Sequence, residues 1–198
     1  MAAITAELVK QLRSKTGAGI MECKEALKAK DGNLDEASRY LREKGLLKAE
    51  KKMSRAANNG KITAYIHGDG KIGVLLEINC ETDFVARTEN FNALAREVSM
   101  QIAAMAPAYV SEKDVPAEEV EKEKEIYRAE AKNTGKPEKV IDKIVEGKLK
   151  KYYSQNCLLK QPYIRDDSKT IEDLVKGGIA KLGENIVVKR FSRFVLGA

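Results

Sequence analysis

Hydrophobic residues recur along the first fifty positions with the spacing of short helices. Ile4, Leu8 and Leu12 fall on one face, Thr5 is placed to cap them, and Ile4 to Val9 has the separation of a hydrophobic staple. Lys15-Thr16-Gly17-Ala18-Gly19 breaks the pattern, and a second helix is predicted over Ile20 to Ala29 with Ala26 and Leu27 apolar. A third opens at Asn33, with Glu36 completing a capping box, Leu34, Ala37 and Leu41 as its stripe and Gly45 as its stop. Three helices this short form a very small bundle with a marginal core, which suits docking better than chemistry. Leu46 to Gly60 follows as a basic connector, partly helical by propensity.

The period then changes from about 3.6 to 2. Lys61 to Gly68 and Lys71 to Cys80 flank Gly68-Asp69-Gly70, so a hairpin of two strands is predicted. From Thr88 to Ala106 the helical period returns, with Phe91, Leu94, Val98 and Ile102 on one side. Pro116 to Asn156 is charge-rich and helical, interrupted by Asn133-Thr134-Gly135-Lys136-Pro137, whose proline suits a first helical position. The second arm carries a clear stripe of Ile141, Ile144 or Val145, Leu149 and Tyr152, the first arm only Val120, Tyr127 and Ala131. This pair is predicted to protrude as a helical hairpin too thinly apolar to fill a core alone. Ser168 to Gly183 is a shorter helix that Gly177-Gly178 weakens or interrupts, and Glu184 to Gly197 closes the chain as a β-branched and aromatic strand. The fold class is α+β: a three-helix module over residues 1–52, then a core over 53–198. That core is a small antiparallel sheet packed with helices, with the helical hairpin over 112–160.

Composition narrows the function classes. Hydrophobic residues make up 43% and charged residues 33% of 198, so a packed core is expected rather than wholesale disorder. Net charge is +6, from 36 basic and 30 acidic side chains that are largely intermixed, so an anionic partner is allowed but not demanded. No apolar run approaches the ~20 residues that span a bilayer, and the amphipathic start lacks the apolar core of a signal peptide. Cys23, Cys80 and Cys157 are far apart and form no CxxC, so they read as reduced thiols of a cytoplasmic protein.

Gly68-Asp69-Gly70-Lys71-Ile72-Gly73 matches GxGxxG, but a strand follows it where a dinucleotide site needs a helix, and no GxxxxGK[ST] occurs. His67 is the only histidine, without cysteines or acids spaced for a metal. No catalytic group, cofactor or metal is therefore expected. The basic clusters at Lys48, Lys51, Lys52 and Arg55, at Lys148, Lys150 and Lys151, and at Lys189, Arg190 and Arg193 could follow phosphates, without any recognised nucleic-acid module.

Two stretches are sharper. In Lys15 to Leu27, Ile20 and Met21 directly follow a glycine-rich connection; they either pack into the bundle or, because Ala26 and Leu27 already supply a core face, meet a partner. In Glu77 to Phe91, Phe84 is seven residues before Phe91, in phase with the following stripe. It is either the first core residue of one long helix that Asp83 caps, or part of a separate Asp83-Phe84-Val85 loop ahead of a helix capped by Thr88.

"TGAGIMECKEAL" near the start, "INCETDFVART" after a strand and "EGKLKKYY…QPYI" further on resemble the bacterial elongation factor Ts family, and the resemblance runs from end to end. It implies a guanine-nucleotide exchange factor for the GTPase elongation factor Tu, in the short form with one core repeat. It implies a ubiquitin-associated-like N-terminal module and a hairpin used in dimerisation. Thr82, Asp83, Phe84 and Val85 match the segment that disturbs Mg²⁺ and phosphate binding in the GTPase; Gly19, Ile20 and Met21 match the docking segment. Ile141, Ile144 and Leu149 are expected in a homodimer interface, and neither nucleic acid nor membrane is an expected partner. The rival readings are a basic RNA- or ribosome-associated binding protein and a ubiquitin-type adaptor.

Overall fold

The computed structural model describes residues 4–133 and 137–197. Among them the chain is α+β, with eight α-helices and five strands. It divides into two compact units: Met1–Gly60 with Asn79–Asn92 and Val175–Val187, and Lys61–Ile78 with Ala93–Leu174 and Val188–Ala198.

The first unit begins with α1 (Ala6–Thr16), α2 (Ile20–Ala29) and α3 (Leu34–Lys52). Local chemistry sets their starts. Thr5 is extended and its hydroxyl accepts from Leu8 N–H, and Asn33 Oδ1 accepts from the N–H groups of Asp35 and Glu36. Leu12, Cys23, Ala26, Leu27 and Ala37 form the core of the three, with Ile4, Leu8, Val9, Leu34 and Leu41 packed at its rim. Gly45 does not stop α3, which runs on to Lys52. A side chain at Gly45 would stand 3.2 Å from Ala180 Cβ, so the glycine permits a close approach rather than ending a helix.

In the sheet, β1 (Asn59–His67), β2 (Ile72–Cys80) and β5 (Ile186–Val195) are ordered β1-β2-β5. Along β2 the side chains alternate, with Val74, Leu76, Ile78 and Cys80 buried, as period-2 patterning requires. The short α4 (Asp83–Ala86) precedes α5 (Glu89–Met105), whose Phe91, Leu94, Val98 and Ile102 are buried as their spacing predicts.

The second unit contains α6 (Ala117–Lys132) and α7 (Glu138–Asn156), which pack on each other through Ala131, Ile141 and Val145, with Tyr127 and Ile144 alongside. Residues 134–136 of the expected Asn133–Pro137 turn lie outside the described residues. Pro137, expected inside the first turn, instead precedes it as the extended N-cap of α7. A two-stranded ribbon that periodicity did not suggest, β3 (Pro162–Tyr163) with β4 (Asp166–Thr170), pairs antiparallel as Pro162 to Thr170 and Tyr163 to Asp166. Buried Gln101 and Gln161 anchor it: Gln101 donates to Gln161 Oε1 at 3.1 Å and to the Pro162 carbonyl at 3.0 Å, and accepts from Ile164 N–H.

The last helix, α8 (Ile171–Leu182), takes over residues 168–170 only as its approach, since they belong to β4. Thr170 and Asp173 cap it reciprocally: Thr170 Oγ1 accepts from Asp173 N–H at 3.1 Å, and Asp173 Oδ2 accepts from Thr170 N–H at 3.0 Å. Gly177-Gly178 do not interrupt this helix. Buried Ile171, Val175 and Ile179 form one stripe, and its packing outweighs a propensity cost of ~1 kcal/mol per glycine.

Candidate functional site

Where β2 ends, two threonines in succession make two caps. Thr82 is extended (φ −129°, ψ 156°), and its hydroxyl accepts from Val85 N–H at 3.4 Å. The single turn of α4 then closes with Arg87 N–H donating to the Phe84 carbonyl at 3.3 Å and Thr88 N–H to the Val85 carbonyl at 3.0 Å. Thr88 Oγ1 accepts from Phe91 N–H at 3.2 Å and so starts α5. The cap of α4 is therefore Thr82 and not Asp83, and α4 is separate from α5. This break takes Phe84 out of the α5 stripe. Phe84 is 78% exposed, while Phe91, seven residues on, is fully buried.

The neighbours of Phe84 fix the turn from beneath. Ala86 is buried and Val85 half-buried. Asp83 pairs with Arg87 at 2.6 Å on the surface. Glu184 holds Thr82 by two bonds: Thr82 N–H donates to Oε2 at 2.9 Å, and the Thr82 hydroxyl donates to Oε1 at 2.6 Å. The Cys80 thiol donates to the Thr82 carbonyl at 3.1 Å. Burial, with the Glu184 charge adding to it, pushes this thiol up from its ordinary range, so it keeps the proton it donates.

The second set lies at the start of α2. Gly17 is left-handed (φ 69°) and closes α1 through its N–H to the Arg13 carbonyl at 2.7 Å, a conformation that favours glycine. Gly19 is the N-cap of α2, and its N–H donates to Glu22 Oε2 at 3.2 Å. Lys48 donates to the other oxygen of Glu22 at 2.6 Å; this ammonium, helped by the Gly19 N–H, holds the Glu22 carboxyl below its ordinary range. Ile20 and Met21 are 55% and 66% exposed, whereas Cys23, Ala26 and Leu27 on the other face are fully buried.

In the second unit, Ile141 is nearly fully buried within the α6–α7 pair, and Ile144 and Leu149 are half-buried. Sequence reasoning missed Glu184, because a polar Gly183-Glu184-Asn185 link between helix and strand has no periodic signal. Only an asparagine followed at once by a β-branched run marked it. Among the described residues, no three His, Cys, Asp or Glu side chains gather where they could hold a metal ion. Among them, too, no helix is long and apolar enough to cross a membrane.

Phe84 on its capped turn and the Ile20-Met21 pair at the start of α2 are thus among the large apolar side chains that the fold leaves exposed. The family model described as elongation factor TS matches residues 2–198. The chain is 63% identical over 194 residues to elongation factor Ts of Coprothermobacter proteolyticus, covering 98% of each. It is 59% identical to that of Caldanaerobacter subterraneus subsp. tengcongensis, over 98% of this chain and 97% of the relative. For Heliobacterium modesticaldum the identity is 55%, over 98% and 90%. The chain belongs to the elongation factor Ts family. Its function is guanine-nucleotide exchange on elongation factor Tu, and it is not an enzyme with a nucleotide site of its own. Family membership thus supports the exchange-factor reading.

Proposed function

We propose that the chain releases GDP by pressing the Thr82–Val85 turn against the nucleotide site of elongation factor Tu, with Phe84 as wedge and Asp83 acting on the region that holds Mg²⁺. The observation that carries this is Phe84, 78% exposed on a turn capped at both ends. In a GTPase the phosphate loop and a Mg²⁺ ion together hold the β-phosphate, so displacing either one weakens the nucleotide. Exchange then needs no chemistry from this chain. The factor binds the nucleotide-free GTPase more tightly than the loaded one, and by linkage it lowers nucleotide affinity by the same ratio. Residues 1–52 act as a ubiquitin-associated-like docking module through Gly19, Ile20 and Met21, and residues 53–198 form the core. The cytoplasm is the setting, with neither nucleic acid nor membrane as partner. The linkage has a direct test. On gel filtration the chain and elongation factor Tu·GDP co-elute, and excess free GDP separates them; a complex indifferent to GDP overturns the reading.

The α6–α7 pair serves a homodimer in this proposal. Ile141 supports it from inside, and Ile144 and Leu149, together with Ile126 at 50% exposure, supply surface that a two-fold partner covers. Changing Ile144 and Leu149 to glutamate converts a dimer to a monomer in analytical ultracentrifugation. A wild-type monomer, or an unchanged sedimentation coefficient in the variant, assigns these residues to the helix pair alone.

A further inference from the structure

Glu184 lies 102 positions beyond Thr82 in the chain, yet it takes both of that residue's donors. Connecting loops commonly satisfy their polar groups with water. Each residue of the Gly183–Asn185 link instead bonds to protein. Asn185 is 2% exposed; its N–H donates to Glu81 Oε1 at 2.7 Å, and its side-chain amide donates to the carbonyls of Met53 and Arg55 at 3.2 and 2.6 Å. Lys52 donates to the Gly183 carbonyl. The end of α3, the residues before α4 and the end of α8 are therefore tied into one hydrogen-bonded frame within the first unit.

We infer that Glu184 is a positioning residue for exchange, holding Thr82 so that the turn presents Phe84 in the one conformation that meets the GTPase. This rests on the reading of Thr82–Val85 as the exchange segment. A helix of four residues has no stability of its own, so its shape depends on its cap and on what holds the cap. The Thr82 hydroxyl must aim a lone pair at Val85 N–H. Giving its proton to the Glu184 carboxylate fixes that aim, and the carboxylate makes both bonds charge-assisted. The adjacent Glu81 is turned to other partners: its Oε1 accepts from Asn185 N–H and faces Arg55 at 3.7 Å. Without Glu184 the hydroxyl turns freely and the turn samples other shapes. Limiting exchange then falls with the fraction of competent turns, while the docking residues of α2 still bind.

The test is stopped-flow release of a fluorescent GDP from elongation factor Tu at rising concentrations of the factor. Glu184→Ala lowers the limiting rate by roughly tenfold, the effect of a turn competent about a tenth of the time, and leaves the half-saturating concentration within about twofold. Glu184→Gln, which keeps an acceptor oxygen and preserves the fold, falls between wild type and alanine. Adding Glu184→Ala to Phe84→Ala produces no further loss, since an absent wedge needs no positioning. A wild-type limiting rate in Glu184→Ala, or a loss that multiplies fully with that of Phe84→Ala, overturns the inference and leaves Glu184 a residue of stability only. If Phe84→Ala itself exchanges like wild type, the reading of the turn fails and this inference falls with it.

Discussion

Phe84→Ala slows the GDP release that this factor drives by roughly ten- to a hundredfold, at ~1.4 kcal/mol per decade, and leaves the melting temperature nearly unchanged. The two halves of that expectation have one cause. Phe84 is 78% exposed in the free chain, so its truncation removes few contacts from its own fold. On insertion into a partner the same ring leaves water, and full burial of a phenylalanine is worth ~1.5–3 kcal/mol. Phe91→Ala is the contrasting control, because Phe91 is fully buried and its loss costs ~3–5 kcal/mol of stability. Asp83 behaves differently from Phe84. Its ion pair with Arg87 is open to water at both ends, and such pairs are worth ~0–1 kcal/mol, so the carboxylate changes partner at little cost. Asp83→Ala therefore lowers exchange less at very low Mg²⁺, where no ion remains to be dislodged. Stopped-flow release of fluorescent GDP, paired with a thermal melt of each variant, measures both. A Phe84→Ala chain that melts early, and loses exchange only as it unfolds, makes the ring part of the core.

What could be read from the sequence was what local chemistry decides. Thr5 and Asn33 cap their helices because a side-chain oxygen meets N–H groups two or three residues on, a relation written within a few positions. The α5 stripe and the alternation of β2 follow from periods of about 3.6 and 2. Phe84 shows where this reasoning divides. Its phase favours a place in the α5 stripe, and only a second cap at Thr88, beyond the turn that Thr82 caps, removes it. The misses were non-local. Gly45 stays inside α3 and lets Ala180, 135 positions later, approach closely, and no local rule contains that neighbour. The β3–β4 ribbon depends on Gln101 reaching Pro162 and Ile164, and Glu184 depends on Thr82. Contacts between distant positions leave no period, so a glutamate in a polar link looks like any solvated loop residue until the fold shows what it holds.

Ile20→Ala and Met21→Ala each weaken the complex with elongation factor Tu by roughly ten- to a hundredfold, since burying either side chain is worth ~1.5–3 kcal/mol. The helicity of the full chain stays as it is. Both residues lie in the first turn of α2, more than half exposed, with the fully buried Cys23, Ala26 and Leu27 on its other face. Their direction is not left to a flexible loop. Gly19 and Lys48 grip Glu22 from two sides, which fixes the start of α2 and so the pair beside it. A preset apolar pair loses little entropy on docking, and methionine adapts its shape to the surface it meets. Leu27→Ala supplies the opposite signature. It opens a cavity in a three-helix core whose largest buried side chains are Leu12 and Leu27, at a cost of ~2–5 kcal/mol, enough to unfold a module this small. Titration calorimetry against nucleotide-free elongation factor Tu, beside circular dichroism of each full-length variant, separates the two. Loss of helix in Met21→Ala comparable to that in Leu27→Ala places Met21 in the bundle and removes it from the docking surface.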